Sequence, residues 1–196
     1  MAFKHYTNRH AVQLLATQSR RTDINSIELC KVHFEMGKYL AYQMLDDFEL
    51  CEIEIPHVQG LRKGQAIANG NQIVIIAMMR SGLYAAEGVR SVFSDSMLIA
   101  DSHEFQTICQ KYDFKNKTVI IIDAVVNSGN TIRKVLDMLY DMACSRIVVG
   151  TLLMQKEASE IAAQYTKVSF YALRVSENKY VGQGHTDTGN RLFNVL

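Results

Sequence analysis

The sequence predicts an α/β fold in which a mainly parallel, five-stranded sheet is flanked by helices. Three observations carry this expectation. Short apolar runs rich in β-branched residues, of which Val119 to Ile122 is the purest, have the composition of strands buried on both faces. Between them lie stretches whose apolar residues recur at helical spacing, such as Ile132, Val135, Leu136 and Leu139. The two patterns alternate about five times, as right-handed βαβ crossovers require. With 196 residues and 48% hydrophobic content, the chain is long enough for one sizeable core, and a single domain over residues 1–196 is expected.

Residues 5 to 22 mix Arg9, His10, Arg20 and Arg21 with Val12, Leu14 and Leu15, which reads as an N-terminal arm or short helix lying on the body. Asn25 followed by Glu28 forms a capping arrangement for a long amphipathic helix, with Ile27, Cys30, Phe34, Ala41, Met44, Leu45 and Phe48 as its apolar stripe. Ile53 and Ile55 alternate with Glu52 and Glu54 up to Pro56, a half-exposed edge strand, and residues 58 to 71 read as loop or hairpin. Buried strands are then expected at Ile73 to Ala77, Met97 to Ala100, Val119 to Ile122, Arg146 to Leu153 and Val168 to Leu173. Helical patterns follow at Leu83 to Phe93, Ile132 to Leu139 and Ala158 to Tyr165. The polar segment between Asp101 and Lys117, which holds His103 and Glu104, is expected to be a mobile flap; His103 has no spaced partner and reads as a surface histidine.

Two strand ends carry the chemistry. The strand at Val119 is expected to stop at Asp123, which places a carboxylate in the crevice beyond the strand ends where open α/β sheets bind ligands. Asn127, Ser128, Gly129, Asn130 and Thr131 follow, with small polar side chains and one glycine just before a helix. Backbone N–H groups, two hydroxyls and the helix dipole there make a receptor for a phosphate. No lysine follows the glycine, so the loop is not of the Walker A kind. The strand at Ile73 empties in the same way into Arg80, Ser81 and Gly82, a second candidate anion loop.

Composition narrows the rest. Twenty-one Lys and Arg against 20 Asp and Glu leave a charge of +1, which offers no electrostatic case for nucleic acid or anionic membrane. The four cysteines lie far apart, without CxxC or zinc-ligand spacing, and read as reduced, mostly buried thiols. The amino terminus lacks an apolar signal region and no run approaches the roughly 18 apolar residues of a membrane span. A cytoplasmic protein is expected.

The apolar strand, acid and Ser-Gly-Asn-Thr loop resemble the phosphoribosyl-pyrophosphate (PRPP) loop of the type I phosphoribosyltransferases. With the glycine-rich tail from Tyr180 to Phe193 added, the chain resembles the uracil phosphoribosyltransferases along nearly its whole length. That resemblance implies a role for each part. Asp123 would face the ribose hydroxyls, Ala124, Val125 and Val126 would bind PRPP as part of the same loop, and Asn127, Ser128, Gly129, Asn130 and Thr131 would hold the 5′-phosphate. Arg80 would grip the pyrophosphate. Tyr180, Val181, Thr186, Asp187 and Thr188 would form the base-binding loop around uracil, with Asp187 also close to PRPP and, with Arg80, catalytic. Magnesium would ride on the leaving pyrophosphate, with no dedicated metal-ligand cluster, and a homodimer or higher homo-oligomer is implied.

Several positions depart from the family pattern. Gln183 stands for its proline, His185-Thr186 for its Leu-Gly, and Ala100 for a second arginine that grips pyrophosphate, a gap that Lys111 or Arg90 would have to fill. These changes touch base fit and pyrophosphate grip. They leave two other readings open: a PRPP- or nucleotide-binding protein with little or no turnover, and transfer to a different nucleobase.

Overall fold

The computed structural model describes residues 3–100, 104–180 and 182–195. Its main sheet has six parallel strands in the order β1-β8-β7-β6-β4-β5. These are β1 (Phe3–His5), β4 (Ile73–Ala77), β5 (Met97–Ile99), β6 (Thr118–Val126), β7 (Arg146–Gln155) and β8 (Val168–Ser176). The strand beyond the expected five is β1, three residues long and too short to give a periodic signal. It is held from outside itself. Phe3 to His5 pair with Phe170 to Ala172, and Lys4 Nζ reaches Asp47 at 2.6 Å while the Tyr171 hydroxyl donates to the same carboxylate.

Side chains of β6 alternate between two cores. Val119 and Ile121 join the cluster under α5 (Asn130–Tyr140), which also takes Ile132, Val135, Leu136 and Leu139. Ile120, Ile122 and Ala124 join the opposite cluster, under α2 (Ser26–Leu45) and α3 (Leu83–Arg90). A strand covered on both faces must be apolar at every position, which is why the run has no polar alternation. The α2 cap is the expected box, with Glu28 N–H donating to Asn25 Oδ1 at 2.9 Å and the Glu28 carboxylate accepting from Asn25 N–H at 3.1 Å. Its buried face differs from the expected stripe, however. Ala41 and Met44 are buried as expected, but Leu29, His33, Met36 and Leu40 join them, while Ile27 is 67% exposed. The face was chosen by α3, which crosses so closely that a Cβ on Gly37 would lie 2.0 Å from the Ala85 carbonyl oxygen, and one on Gly88 2.1 Å from that of Phe34.

Three further expectations change. The residues around Pro56 form β2 (Leu50–His57), which pairs with β3 (Gly60–Ile67) as a separate antiparallel hairpin exposed on both faces. Part of the expected flap is α4 (Phe105–Lys111), pinned by buried Ile108 and Phe114; Asp101 and His103 lie outside the described residues. The cysteines are free thiols, as expected, but three are only partly buried and Cys51 is exposed. The arm is α1 (His10–Arg20), and the tail ends in α7 (Thr188–Phe193). Among the described residues no helix is long and apolar enough to cross a membrane.

The strand order positions the site. From β4 the chain moves outward to the edge strand β5, returns to β6, and then proceeds the other way to β7 and β8. The topological switch therefore lies between β4 and β6, and a crevice opens beyond their carboxyl ends.

Candidate active site

β4 and β6 remain joined past the sheet, where Met78 N–H donates to the Ile122 carbonyl at 2.8 Å. Just beyond, Ser81 Oγ donates to Asp123 Oδ1 at 3.0 Å. The two loops that sequence could only treat separately share a hydrogen bond on the crevice floor. Asp123 does not end its strand: β6 runs on to Val126, and Val125 N–H lies 3.5 Å from the same carboxylate oxygen. Burial raises the Asp123 pKa to about 6, opposed by the hydrogen bonds from Ser81 and the Val125 and Ala124 backbone.

After β6, Asn127, Ser128 and Gly129 turn into α5. Gly129 has φ +73°, and a Cβ there would sit 1.8 Å from Ile161 Cδ1. The obstruction lies toward the core rather than in the phosphate concavity. Ser128, Asn130 and Thr131 are exposed around the open first turn of α5, whose N–H groups have no helical acceptors. Val126 and Ala124 are buried in opposite cores and offer the crevice only backbone, whereas Val125 lines it.

The tail is tied to both loops. Asn127 Nδ2 donates to the Tyr180 carbonyl at 2.6 Å and its Oδ1 accepts from Tyr180 N–H at 3.2 Å. The Asn127 side-chain amide, expected from sequence to face the phosphate, is turned to the tail in this structure. Asn190 Oδ1 accepts from Arg80 Nη2 at 2.6 Å, and the Asn190 N–H donates to Asp187 Oδ1 at 2.8 Å, which caps α7. The Tyr180 hydroxyl donates to the Thr186 carbonyl, and the Thr186 hydroxyl is turned back to Gln183, 2.9 Å from both its N–H and its carbonyl oxygen. Arg191 points away and donates to the Arg21 carbonyl at 2.6 Å, while buried Leu192 pins the end to the body.

Together these elements enclose a cleft of about 480 Å³ with Ser81, Ser128, Tyr180, Asp187 and Thr188 on its walls. Gln155 at the end of β7, Glu157 in the turn after it, and Lys179 also line it and carried no expectation from sequence. For Gln155 a signal existed: it is the first amide after the apolar run from Ile147 to Met154. Val181 lies outside the described residues. Ala100 is exposed just past β5, and Arg90 ends α3, eight residues and about 12 Å of helix from the loop it would have to serve. Arg90 therefore does not replace the missing arginine. Among the described residues no three His, Cys, Asp or Glu side chains gather as a metal cage.

A family model described as uracil phosphoribosyltransferase matches residues 6–195, a span that takes in both loops and the tail. The chain belongs to the uracil phosphoribosyltransferase family. The uracil phosphoribosyltransferase of Acinetobacter baylyi is similar at 26% identity over 204 residues, covering 97% of this chain and 94% of that protein. Among solved structures, the AQ2163 protein from Aquifex aeolicus shares the fold with a TM-score of 0.79 and 21% identity, over 98% of this chain and 99% of that one. TT1426 from Thermus thermophilus shares it more loosely, with a TM-score of 0.52 and 12% identity over 83% and 96% of the two chains. Membership in the uracil phosphoribosyltransferase family supports phosphoribosyl transfer as the reaction type.

Proposed function

We propose that the protein transfers the ribose 5-phosphate group of PRPP to N1 of uracil, forming uridine monophosphate and pyrophosphate, a step of pyrimidine salvage. The observation that carries this reading is the double attachment of the tail, to the β6 loop through Asn127 and to the β4 loop through Arg80. Sugar phosphate, leaving group and base then meet in one cleft.

In this reading the 5′-phosphate lies against the Ser128 hydroxyl and the N–H groups that open α5. Asp123, with Ser81 holding one oxygen, accepts the ribose hydroxyls. Arg80 exchanges part of its bond with Asn190 for the pyrophosphate and stabilises the charge that gathers there as the C1′–O bond breaks. The base lies beside Tyr180 and Val125, with backbone groups from residues 182 to 188 facing its O2–N3–O4 edge. Its N1 forms the bond to C1′ and releases its proton to solvent. Asp187 keeps one oxygen on the α7 cap and presents the other to the substrates.

Magnesium suits this donor set, since a hard cation that keeps its waters needs only one or two carboxylates besides phosphate oxygens, and Asp187 and Asp123 would provide them. When bound it would offset charge on the leaving pyrophosphate. A homodimer is part of the reading, supported by Leu50, Ile53 and Leu61, which stand exposed on the β2–β3 hairpin.

Incubation with PRPP, magnesium and labelled uracil tests the proposal. Uridine monophosphate and pyrophosphate in equal amounts are expected. Folded protein that binds PRPP but yields no nucleotide from any base would replace this reading with that of a binding protein.

A further inference from the structure

Behind the cleft lies a second cavity of about 200 Å³, and the two share Val125, Tyr180 and Thr188 as walls. A ligand resting on those three side chains meets both spaces. Part of the second cavity is apolar, made by Leu29 and Met36 of α2 and Leu153 of β7. Its charged part has one sign. Arg20 from the end of α1, Arg174 from β8 and Arg191 from α7 line it, and among the described residues no carboxylate does.

Two of these guanidinium groups are held without being neutralised. Arg20 Nε donates to the Ala16 carbonyl at 2.9 Å, and Arg191 Nη2 to that of Arg21 at 2.6 Å. Arg174 is partly buried, and the charge it meets is that of Arg20, so burial and a like charge both lower its pKa. His33 of α2 completes the lining. It is 5% exposed, and its Nδ1 is buried without a hydrogen-bond partner. Burial and Arg191 hold the His33 pKa down to about 4, so that the ring is neutral at pH 7.

Arg174 and Arg191 are half-buried and Arg20 is exposed, so three like charges repel one another around one space, beside a buried ring nitrogen that lacks a partner. The arrangement is balanced if the ligand brings the anion. Uracil brings none. With N1 turned to the ribose and O2, N3 and O4 turned to the tail, the edge of the ring left facing the second cavity is C5–C6.

We propose that the preferred base of this site is a uracil ring bearing a carboxylate, with the ring against Val125 and Tyr180 and the carboxylate in the second cavity between Arg174 and Arg20. His33 offers a neutral N–H beside it. The inference rests on the cleft being the phosphoribosyl-transfer site. The reaction is otherwise unchanged: N1 bonds to C1′, pyrophosphate departs, the N1 proton goes to solvent and the carboxylate is retained.

The test is direct competition among uracil, uracil-5-carboxylate and uracil-6-carboxylate with PRPP and magnesium, with products separated by chromatography and PRPP binding followed by calorimetry. One carboxylated base should exceed uracil in kcat/KM by about tenfold or more, the scale of one charge-assisted hydrogen bond. In Arg174→Met that ratio should fall by about tenfold or more, with Arg174→Lys in between and the melting temperature reported for each. If Arg174→Met does not fold, Arg20→Gln serves the same comparison. Uracil turnover that equals or exceeds that of both carboxylated bases overturns the inference and leaves the transfer reading in place. A ratio unmoved by the substitutions, or equal loss of both activities, overturns the assignment of the arginines. Failure to bind PRPP and to convert any base would overturn both readings.

Discussion

Asp123→Asn should make the protein more stable and less able to bind PRPP. The folded carboxyl has its pKa raised to about 6 from an ordinary 3.8 by burial. Between those values the folded state holds a proton that the unfolded chain has lost, so stability falls as pH rises from about 4 and the loss is complete above the folded pKa. A gap of about two pKa units corresponds to about 3 kcal/mol, and the part of the carboxyl that meets solvent reduces this to about 2–3 kcal/mol. Asn cannot ionise and still accepts from Ser81. At pH 8 the variant should therefore melt about 4–12 °C higher than wild type, using about 2–4 °C per kcal/mol for a chain of this size, and at pH 4 the two should coincide. PRPP binding should move the other way. Replacing a charged acceptor of the ribose hydroxyls by a neutral one costs roughly 1.5–3 kcal/mol, or about ten- to a hundredfold in affinity. Melting curves at both pH values and calorimetric titration with PRPP read the two effects. Equal melting at pH 8, or unchanged PRPP affinity, would refute the account of a carboxylate kept at a folding cost for its ligand.

Asn127→Ala removes both hydrogen bonds to the Tyr180 backbone, so the base KM should rise about tenfold while the PRPP KM changes less; the reverse split would return Asn127 to the phosphate. Gly129→Val must place a Cβ at positive φ and against Ile161, and should destabilise the fold by about 2–4 kcal/mol, read from denaturant midpoints, with Ile161→Ala in the same chain restoring part of the loss. Ala100→Arg should tighten PRPP binding about tenfold or more, because in the proposed reading Arg80 grips the pyrophosphate alone and Arg90 lies a helix away. Tight wild-type binding left unchanged by the substitution would show that another base already fills the site.

How much of this was legible in the residues depends on the range of the interaction that sets each feature. Strands β4, β6, β7 and β8 are continuous apolar runs because both faces are covered, so local composition alone identified them, as the Asn25–Glu28 box identified the start of α2. The loops at Arg80 and at Asn127 to Thr131 were visible for the same reason, each being a polar break between a buried strand and a helix. What the sequence could not determine was contact across distance. β1 exists because β8 offers an unpaired edge and Asp47 a counter-charge to Lys4. The inward face of α2 was chosen by its crossing with α3, and Asn127 turned to Tyr180 because the tail folds back 53 residues later. The second cavity belongs to this class as well: Arg20, His33, Arg174 and Arg191 are ordinary surface or helix residues in the sequence. Only the parallel sheet, by bringing α1, α2, β8 and α7 to one end, gathers three charges and a neutral imidazole around a single space.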